Sequence, residues 1–215
     1  MESVLFLGKN GDTHCKRAAD FVLNNFDDVS VYFGDWEVLR LIPPIKWDYI
    51  ISYLSRWIVP GHMLKYTHKA AINFHPAPPE YPGVGCYNFA LYDDAPEYGV
   101  TCHHMEEKVD TGDIISVKRF PIYPTDNVES LIDRTREYLL VLFYYVMSHI
   151  LLDHKLPMSD EKWKAEPTTF QDLEQLHEID PDMSREEVDK RIRATSYNEF
   201  QPHLHLGEHR FEYKP

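Results

Sequence analysis

The sequence is poor in cysteine, short of positive charge and without a long apolar run. Its three cysteines, Cys15, Cys86 and Cys102, are odd in number and show no CxxC spacing. That argues against a disulfide framework or a cysteine-built zinc site, and for reduced thiols in a cytoplasmic protein. Lysine and arginine total 22 against 35 aspartate and glutamate, a formal net charge of −13. Such an excess excludes broad electrostatic attraction to nucleic acid or anionic lipid, though not a local basic pocket. The longest apolar run, residues 139–152, contains Ser148 and His149 and is too short to span a bilayer. The start, Met1-Glu2-Ser3, has no basic region ahead of its short apolar run and does not read as a signal peptide.

What is present fits one domain of ordinary size with an extension: 215 residues, 43% of them hydrophobic. Compact apolar or β-branched runs at residues 3–8, 29–33, 49–53 and 71–74 predict strands, and residues 14–25, 36–41 and 60–66 predict the intervening helices. This alternation predicts an α/β fold, a mostly parallel sheet flanked by helices. Residues 87–92 predict a further helix, 99–105 and 113–120 two more strands, and 127–152 a long helix. Composition turns polar near Asp153, dividing the chain into residues 1–152 and an extension over 153–215. In the extension, helical patterns at 170–178 and 184–193 precede an alternating tail around Gly207 that predicts a β-hairpin.

The chemistry concentrates at Asn73, Phe74 and His75, followed 35 residues after His75 by Asp110 in a Val-Asp-Thr-Gly turn. An amide N–H can hold a developing oxyanion, an imidazole can transfer a proton near neutral pH, and a carboxylate can orient and charge-stabilise the imidazole. No serine or cysteine stands where a covalent nucleophile is expected, so the attacking group belongs to a substrate. Four prolines (Pro76, Pro78, Pro79, Pro82) stiffen the loop after His75, and Gly83 and Gly85 permit turns or close approach to a ligand. Taken alone, Asn-x-His is explained at least as well by a turn with a satisfied histidine. In open α/β sheets, however, ligands sit beyond the carboxyl ends of the strands, where His75 falls.

Asn73-x-His75, Pro79-x-Tyr81-x-Gly83, Gly99-Val-Thr101 and Asp110-Thr-Gly-Asp-Ile114 occur in that order at close spacing. This set resembles the catalytic domain of formyltransferases that use 10-formyltetrahydrofolate, over about residues 1–125. The resemblance implies a Rossmann-like formyltransferase domain, a catalytic triad of Asn73, His75 and Asp110, and no metal. It also implies a folate site near Ser52, Arg56, Trp57, Ile58, Met105, Val109, Thr111 and Asp113, with Trp57 equally explicable as core. Where transformylases acting on tRNA or on the purine precursor carry Ser-Leu-Leu-Pro, this chain carries Ala77-Pro78-Pro79-Glu80. With the tail, in which Arg193-Ala-Thr195 precedes an aromatic hairpin, that variation looks most like the nucleotide-sugar N-formyltransferases. The acceptor this implies is a nucleotide-linked amino sugar, a dTDP-4-amino-4,6-dideoxyhexose, of the kind used in lipopolysaccharide O-antigen biosynthesis. The alternatives are a glycinamide ribonucleotide formyltransferase and a non-catalytic folate- or nucleotide-binding module.

Candidate acceptor contacts are Lys9 and Asn10 in a Gly-Lys-Asn-Gly turn that could meet a phosphate, and Pro79, Tyr81, Gly83 and Tyr87. Lys9 as a pyrophosphate contact is an expectation; for Tyr87, buried packing is as good an explanation. His103-His104 and the tail set His203, His205 and His209 could suggest a metal, but no cysteine or carboxylate set completes a site, and solvated hairpin histidines are the expectation. The alternating aromatic tail suggests a homodimer.

Overall fold

In the computed structural model, which describes residues 2–34, 42 and 46–214, the chain begins with a strand buried on both faces. This strand, β1 (Ser3–Gly8), turns Val4 and Phe6 to one apolar cluster and Leu5 and Leu7 to another. A strand covered on both faces must be apolar at every position, which is why the run does not alternate. Helix α1 (Thr13–Asn25) follows and presents Cys15, Ala18, Ala19 and Val22 to the sheet. Next come β2 (Asp28–Phe33), β3 (Tyr49–Tyr53), α2 (Gly61–Lys65) and β4 (Ala70–His75). The helix expected over residues 36–41 lies outside the described residues.

After β4 the direction changes. Helix α3 (Cys86–Tyr92) leads into β5 (Glu97–His104) and β6 (Ile114–Pro121), both antiparallel additions to the sheet. The strand order is β2-β1-β3-β4-β5-β6, with the first four parallel. The mostly parallel, helix-flanked sheet is the α/β architecture that the alternating runs predict.

Helix α4 (Val128–Leu151) is started by a reciprocal pair: Asn127 Oδ1 accepts from the Ser130 N–H at 3.0 Å, and Ser130 Oγ accepts from the Asn127 N–H at 3.1 Å. At 24 residues the helix is about 36 Å long and reaches across the sheet. Its expected apolar stripe, Val128, Leu131, Ile132, Leu139, Leu142, Phe143 and Val146, is buried throughout. Phe143 meets Tyr53 and Phe74 at ring-centroid distances of 5.5 and 5.2 Å. Phe74 thus faces the core between Asn73 and His75, and anchors the strand that carries both.

Residues 153–169 run back along the β5–β6 side without helix or strand, and α5 (Phe170–His177), α6 (Arg185–Thr195) and a hairpin of β7 (His203–Leu206) and β8 (His209–Glu212) follow. Helix α6 packs on α3: Asn88 Nδ2 donates to the Ala194 carbonyl at 2.7 Å, and the Tyr92 hydroxyl to Glu187 at 2.9 Å. One expectation about the tail fails. His203 is buried, 3.3 Å from Arg210 and 3.6 Å from Glu174, because its strand turns it under α5, while His205 and His209 are solvated. Phe143→Ala should cost about 3–5 kcal/mol in a urea unfolding experiment, the range for emptying a buried aromatic site; a loss below about 1 kcal/mol would contradict this packing.

Candidate active site

Side chains two apart on a strand share a face, and directly paired residues of antiparallel strands point the same way. Asn73 and His75 on β4 pair with His103 and Thr101 on β5. Four polar side chains therefore meet on one face at the strand ends, while Ile72, Phe74 and Cys102 fill the core on the other. The Thr101 hydroxyl donates to the Ala77 carbonyl at 2.7 Å, and the Tyr98 hydroxyl to the Pro76 carbonyl at 3.0 Å, so β5 pins the proline loop from below.

The loop in turn holds the imidazole. His75 Nε2 lies 3.1 Å from the Tyr81 carbonyl. A carbonyl only accepts, so Nε2 carries the proton and Nδ1 is left as the basic nitrogen. That Nδ1 is 3.4 Å from Asp110 Oδ2. The same oxygen accepts the Gly83 N–H at 2.9 Å, and Asp110 Oδ1 is 3.3 Å from His103 Nε2. One carboxylate therefore ties together β5, the proline loop and the His75 imidazole.

Asp110 reaches these partners from a left-handed backbone, φ +49°, a conformation that aspartate tolerates better than most residues. Gly112, two residues on, runs so close to β5 that a Cβ there would lie 1.9 Å from the His104 carbonyl oxygen.

The electrostatics follow from burial. His75 is 5% exposed and Asp110 5% exposed. Burial is the largest influence on His75 and pushes its pKa down; Asp110 opposes this, His103 adds to it, and the net direction is down. The site therefore favours a resting neutral ring. For Asp110, burial alone would raise the pKa, but His75, His103 and the Gly83 N–H outweigh it and hold the group at about 2.

His103 is the residue that motif reading passed over as one of a histidine pair. Its Nδ1 donates to the His104 carbonyl at 2.8 Å, and its Nε2 lies 3.1 Å from Asn73 Nδ2. When neutral it accepts from Asn73; when charged it donates to Asp110. It thereby orients the amide, leaving the second amide hydrogen of half-buried Asn73 for a ligand oxygen. The signal was present in the alternation Thr101, His103 opposite Asn73 and His75, but it needs the strand register to be seen.

Trp163 was also missed. Its indole Nε1 donates to the Gly112 carbonyl at 2.8 Å, and its ring lies edge-on to His75 and His103 at 5.8 and 5.0 Å. No motif announces it, because it comes from the irregular segment after α4.

Between α2 and the segment that carries Asp110 lies a cleft made of two adjoining hollows of about 310 and 480 Å³ that share Leu64, Met105 and Glu106. Of the expected folate contacts, Met105, Thr111 and Asp113 line it. Arg56, Ile58 and Val109 are exposed and outside its lining, and Ser52 is buried in the sheet. Trp57 is 4% exposed, in one apolar cluster with Leu64 and Met105, and its indole N–H has no partner among the described residues. No described group of three or more His, Cys, Asp or Glu side chains is arranged to hold a metal ion.

On the other side, Tyr81 and Tyr87 pack their rings on Tyr98 at 6.2 and 5.6 Å. Pro79 is buried, and its carbonyl accepts the Lys164 N–H at 3.0 Å. Gly83 sits at φ +90°, where a Cβ would lie 2.4 Å from the Thr168 carbonyl oxygen. Asn10 is exposed and Lys9 half-buried. The α1 N-terminus beside them already holds an anion: the Asp12 carboxylate accepts from the His14 and Cys15 N–H groups and pairs with Arg136 at 3.1 Å.

The family model described as formyl transferase matches residues 23–143. A GDP-perosamine N-formyltransferase of Brucella melitensis is 29% identical over 160 residues, 72% of this chain and 59% of that protein. The chain thus spans about three fifths of that relative's length. The fold matches that of a sugar N-formyltransferase from a Shewanella species at TM-score 0.78 and 16% identity, covering 99% of this chain and 97% of the other. It also matches an N-formyltransferase of Helicobacter canadensis, crystallised with folinic acid and dTDP-3-aminofucose, at TM-score 0.75 and 20% identity, covering 97% and 85%.

Because Asp110 titrates below its ordinary value, it contributes stability that is present above about pH 4 and lost as pH falls towards 2. Between those limits the wild type should lose roughly 2 kcal/mol more than Asp110→Asn in denaturant unfolding. Equal acid sensitivity of the two would contradict the ion-paired carboxylate.

Proposed function

The chain belongs to the formyl transferase family, and from that premise we propose that it moves a formyl group from 10-formyltetrahydrofolate to the amino group of a nucleotide-linked amino sugar. The observation that carries this reading is the convergence of Asn73, His75 and Asp110 at one sheet face, in a chain whose 105–113 segment also lines an open cleft. The cleft suits the donor: it joins apolar side chains at Leu64, Ala71 and Met105 to polar ones at Thr67, Lys69, His104, Glu106 and Asp113, and the indole N–H of Trp57, unpaired among the described residues, lies in the cluster behind them. Met105, Thr111 and Asp113 would hold it, with backbone groups of the 105–113 loop. Bound there, the folate supplies the formyl group.

The side chains then divide the work. Asn73 directs its free amide hydrogen at the oxygen on which negative charge develops. His75 Nδ1, neutral at rest, takes the proton of the attacking amine. Asp110, already ionised 3.4 Å away, stabilises the imidazolium that results. His75 is next the proton source for the departing nitrogen. Much of the rate comes from holding two substrates in register.

For the acceptor we propose a dTDP-4-amino-4,6-dideoxyhexose, with Lys9, Asn10, Tyr81, Gly83 and Tyr87 on its side of the site. The Helicobacter protein was crystallised with a dTDP-linked amino sugar, whereas the Brucella relative is named for a GDP-linked one. The experiment is to incubate the protein with 10-formyltetrahydrofolate and dTDP-, UDP- and GDP-linked amino sugars, alongside glycinamide ribonucleotide, and to measure folate release. Turnover is expected with an amino sugar; turnover with the ribonucleotide alone would overturn the reading. His75→Ala and Asp110→Asn should each lower kcat at least about a hundredfold without unfolding the chain. Near-wild-type rates in either variant would remove its assigned role.

We further propose that the protein is a homodimer built through its tail hairpin. Leu206 and Phe211 there are 53% and 51% exposed and share one face of the hairpin, which a second copy would cover. Light scattering on a chain truncated before Gln201 should report a monomer; an unchanged dimer mass would rule out the hairpin as the essential contact.

A further inference from the structure

Between α4 and α5 the chain forms a strap that is fastened along its whole length although it contains neither helix nor strand. The Ser159 N–H donates to the Ile114 carbonyl at 3.0 Å, the Lys164 N–H to Pro79 at 3.0 Å, and the Thr168 N–H to Pro82 at 3.1 Å, while the Val84 N–H donates to Thr168 at 3.0 Å. Arg119 on β6 pairs with Glu80 of the proline loop at 3.0 Å and with Glu161 of the strap, and Lys164 reaches Glu80 at 2.6 Å. Trp163 is thus held from both sides, over the proline loop and over β6.

Its ring sits on the imidazoles. With Nε1 committed to Gly112, the indole has no hydrogen bond to offer His75 or His103; what it presents to both is apolar edge and face, at interplanar angles of 71° and 88°. The two histidines are 5% and 2% exposed, whereas Asn73 beside them is only half-buried. The cover therefore lies over the proton-handling groups and leaves the oxyanion donor open.

We propose that Trp163 is a positioning residue for formyl transfer: it is the wall that keeps water off His75 and His103 and fixes their rings against Asp110 and Asn73. This rests on the formyl-transfer reading of the site. The titratable groups facing His75 are Asp110 from the 105–113 loop and His103 from β5; the proline loop contributes only the Tyr81 carbonyl. The strap charges flanking Trp163, namely Glu161, Lys162 and Lys164, are engaged by Arg119, Asp113 and Glu80, Glu166 pairs with Lys108, and no strap charge is among the groups that act on the imidazole. Removing the indole admits water next to a ring whose charged form burial disfavours, so His75 should gain its proton at higher pH. A ring protonated at rest cannot accept from the amine, and the acid limb of the rate profile moves the same way.

The first measurement needs no substrate. NMR titration of the His75 and His103 Cε1–H signals, assigned with His75→Gln and His103→Gln, is compared in wild type, Trp163→Ala and Trp163→Phe. Trp163→Ala should raise the His75 midpoint by about half a pH unit or more, and Trp163→Phe, which keeps an aromatic wall, should stay near wild type. The second measurement is the pH profile of kcat/KM. The acid limb should shift upward in Trp163→Ala by the same interval, with kcat falling about tenfold and KM changing little. An unmoved His75 midpoint in folded Trp163→Ala overturns the proposal, and so does a moved midpoint with an unmoved rate profile. If Trp163→Ala does not fold, Trp163→Leu is read by the same criteria. Absence of formyl transfer by the wild type itself would sink the functional reading, while the titration still decides whether Trp163 walls off the histidine.

Discussion

The site depends on a single carboxylate. Asp110 lies within 3.4 Å of His75 Nδ1 and 3.3 Å of His103 Nε2, and its Oδ2 accepts the Gly83 N–H at 2.9 Å. These partners come from β4, β5 and the proline loop. Burying an ion is costly unless charge and hydrogen bonds answer it; here the Gly83 N–H donates to Oδ2, and His103, when charged, donates to Oδ1. Removing the carboxylate would take away the counter-charge for either buried imidazole when it is protonated, and would leave the Gly83 N–H without its acceptor. The same group that tunes the imidazole therefore also closes the loop around it.

Several local features make sense only as means of bringing that carboxylate into place. Asp110 accepts a left-handed backbone to turn inward, a strain on the order of 1–2 kcal/mol for a residue with a Cβ. Gly112 permits the loop to press against the His104 carbonyl, and Gly83 permits the Thr168 backbone to run alongside the proline loop. Prolines at 76, 78, 79 and 82 restrict the loop before any contact is made, so less order is lost when Tyr81 O and Gly83 N–H engage. Underneath, Phe74 locks β4 into the aromatic cluster around Phe143. The functional strand is therefore rigid on one face and polar on the other, which suits a preorganised site.

Much of the fold was legible because its parts are local. The doubly buried β1 and β3, the Asn127–Ser130 start of α4 and the turn at Gly207 each announce themselves within a few residues, and the described elements fall where those signals lie. The triad was legible as an ordered motif, but its partners were not. His103 becomes a site residue only when β5 is laid antiparallel to β4 in one register, and a shift of one residue would turn it to the core. Trp163 depends on long-range fastening of an irregular strap. Asp12 shows the converse: the glycine-flanked turn after β1 suggests an anion site, yet the chain's own carboxylate caps the helix there. Trp57 and His203 also went inside, under α2 and α5, because contacts between distant segments decide burial and no nearby pattern encodes them.

The central claim is that burial, against the pull of Asp110, keeps His75 neutral at rest, with its proton on Nε2 facing the Tyr81 carbonyl and its basic Nδ1 beside the carboxylate. The ¹⁵N chemical shifts of the His75 ring in the free protein at pH 7 test this most directly. The account predicts an Nε2 shift typical of a protonated nitrogen and an Nδ1 shift typical of an unprotonated one. A protonated Nδ1, whether in the opposite tautomer or in a resting imidazolium, would contradict it.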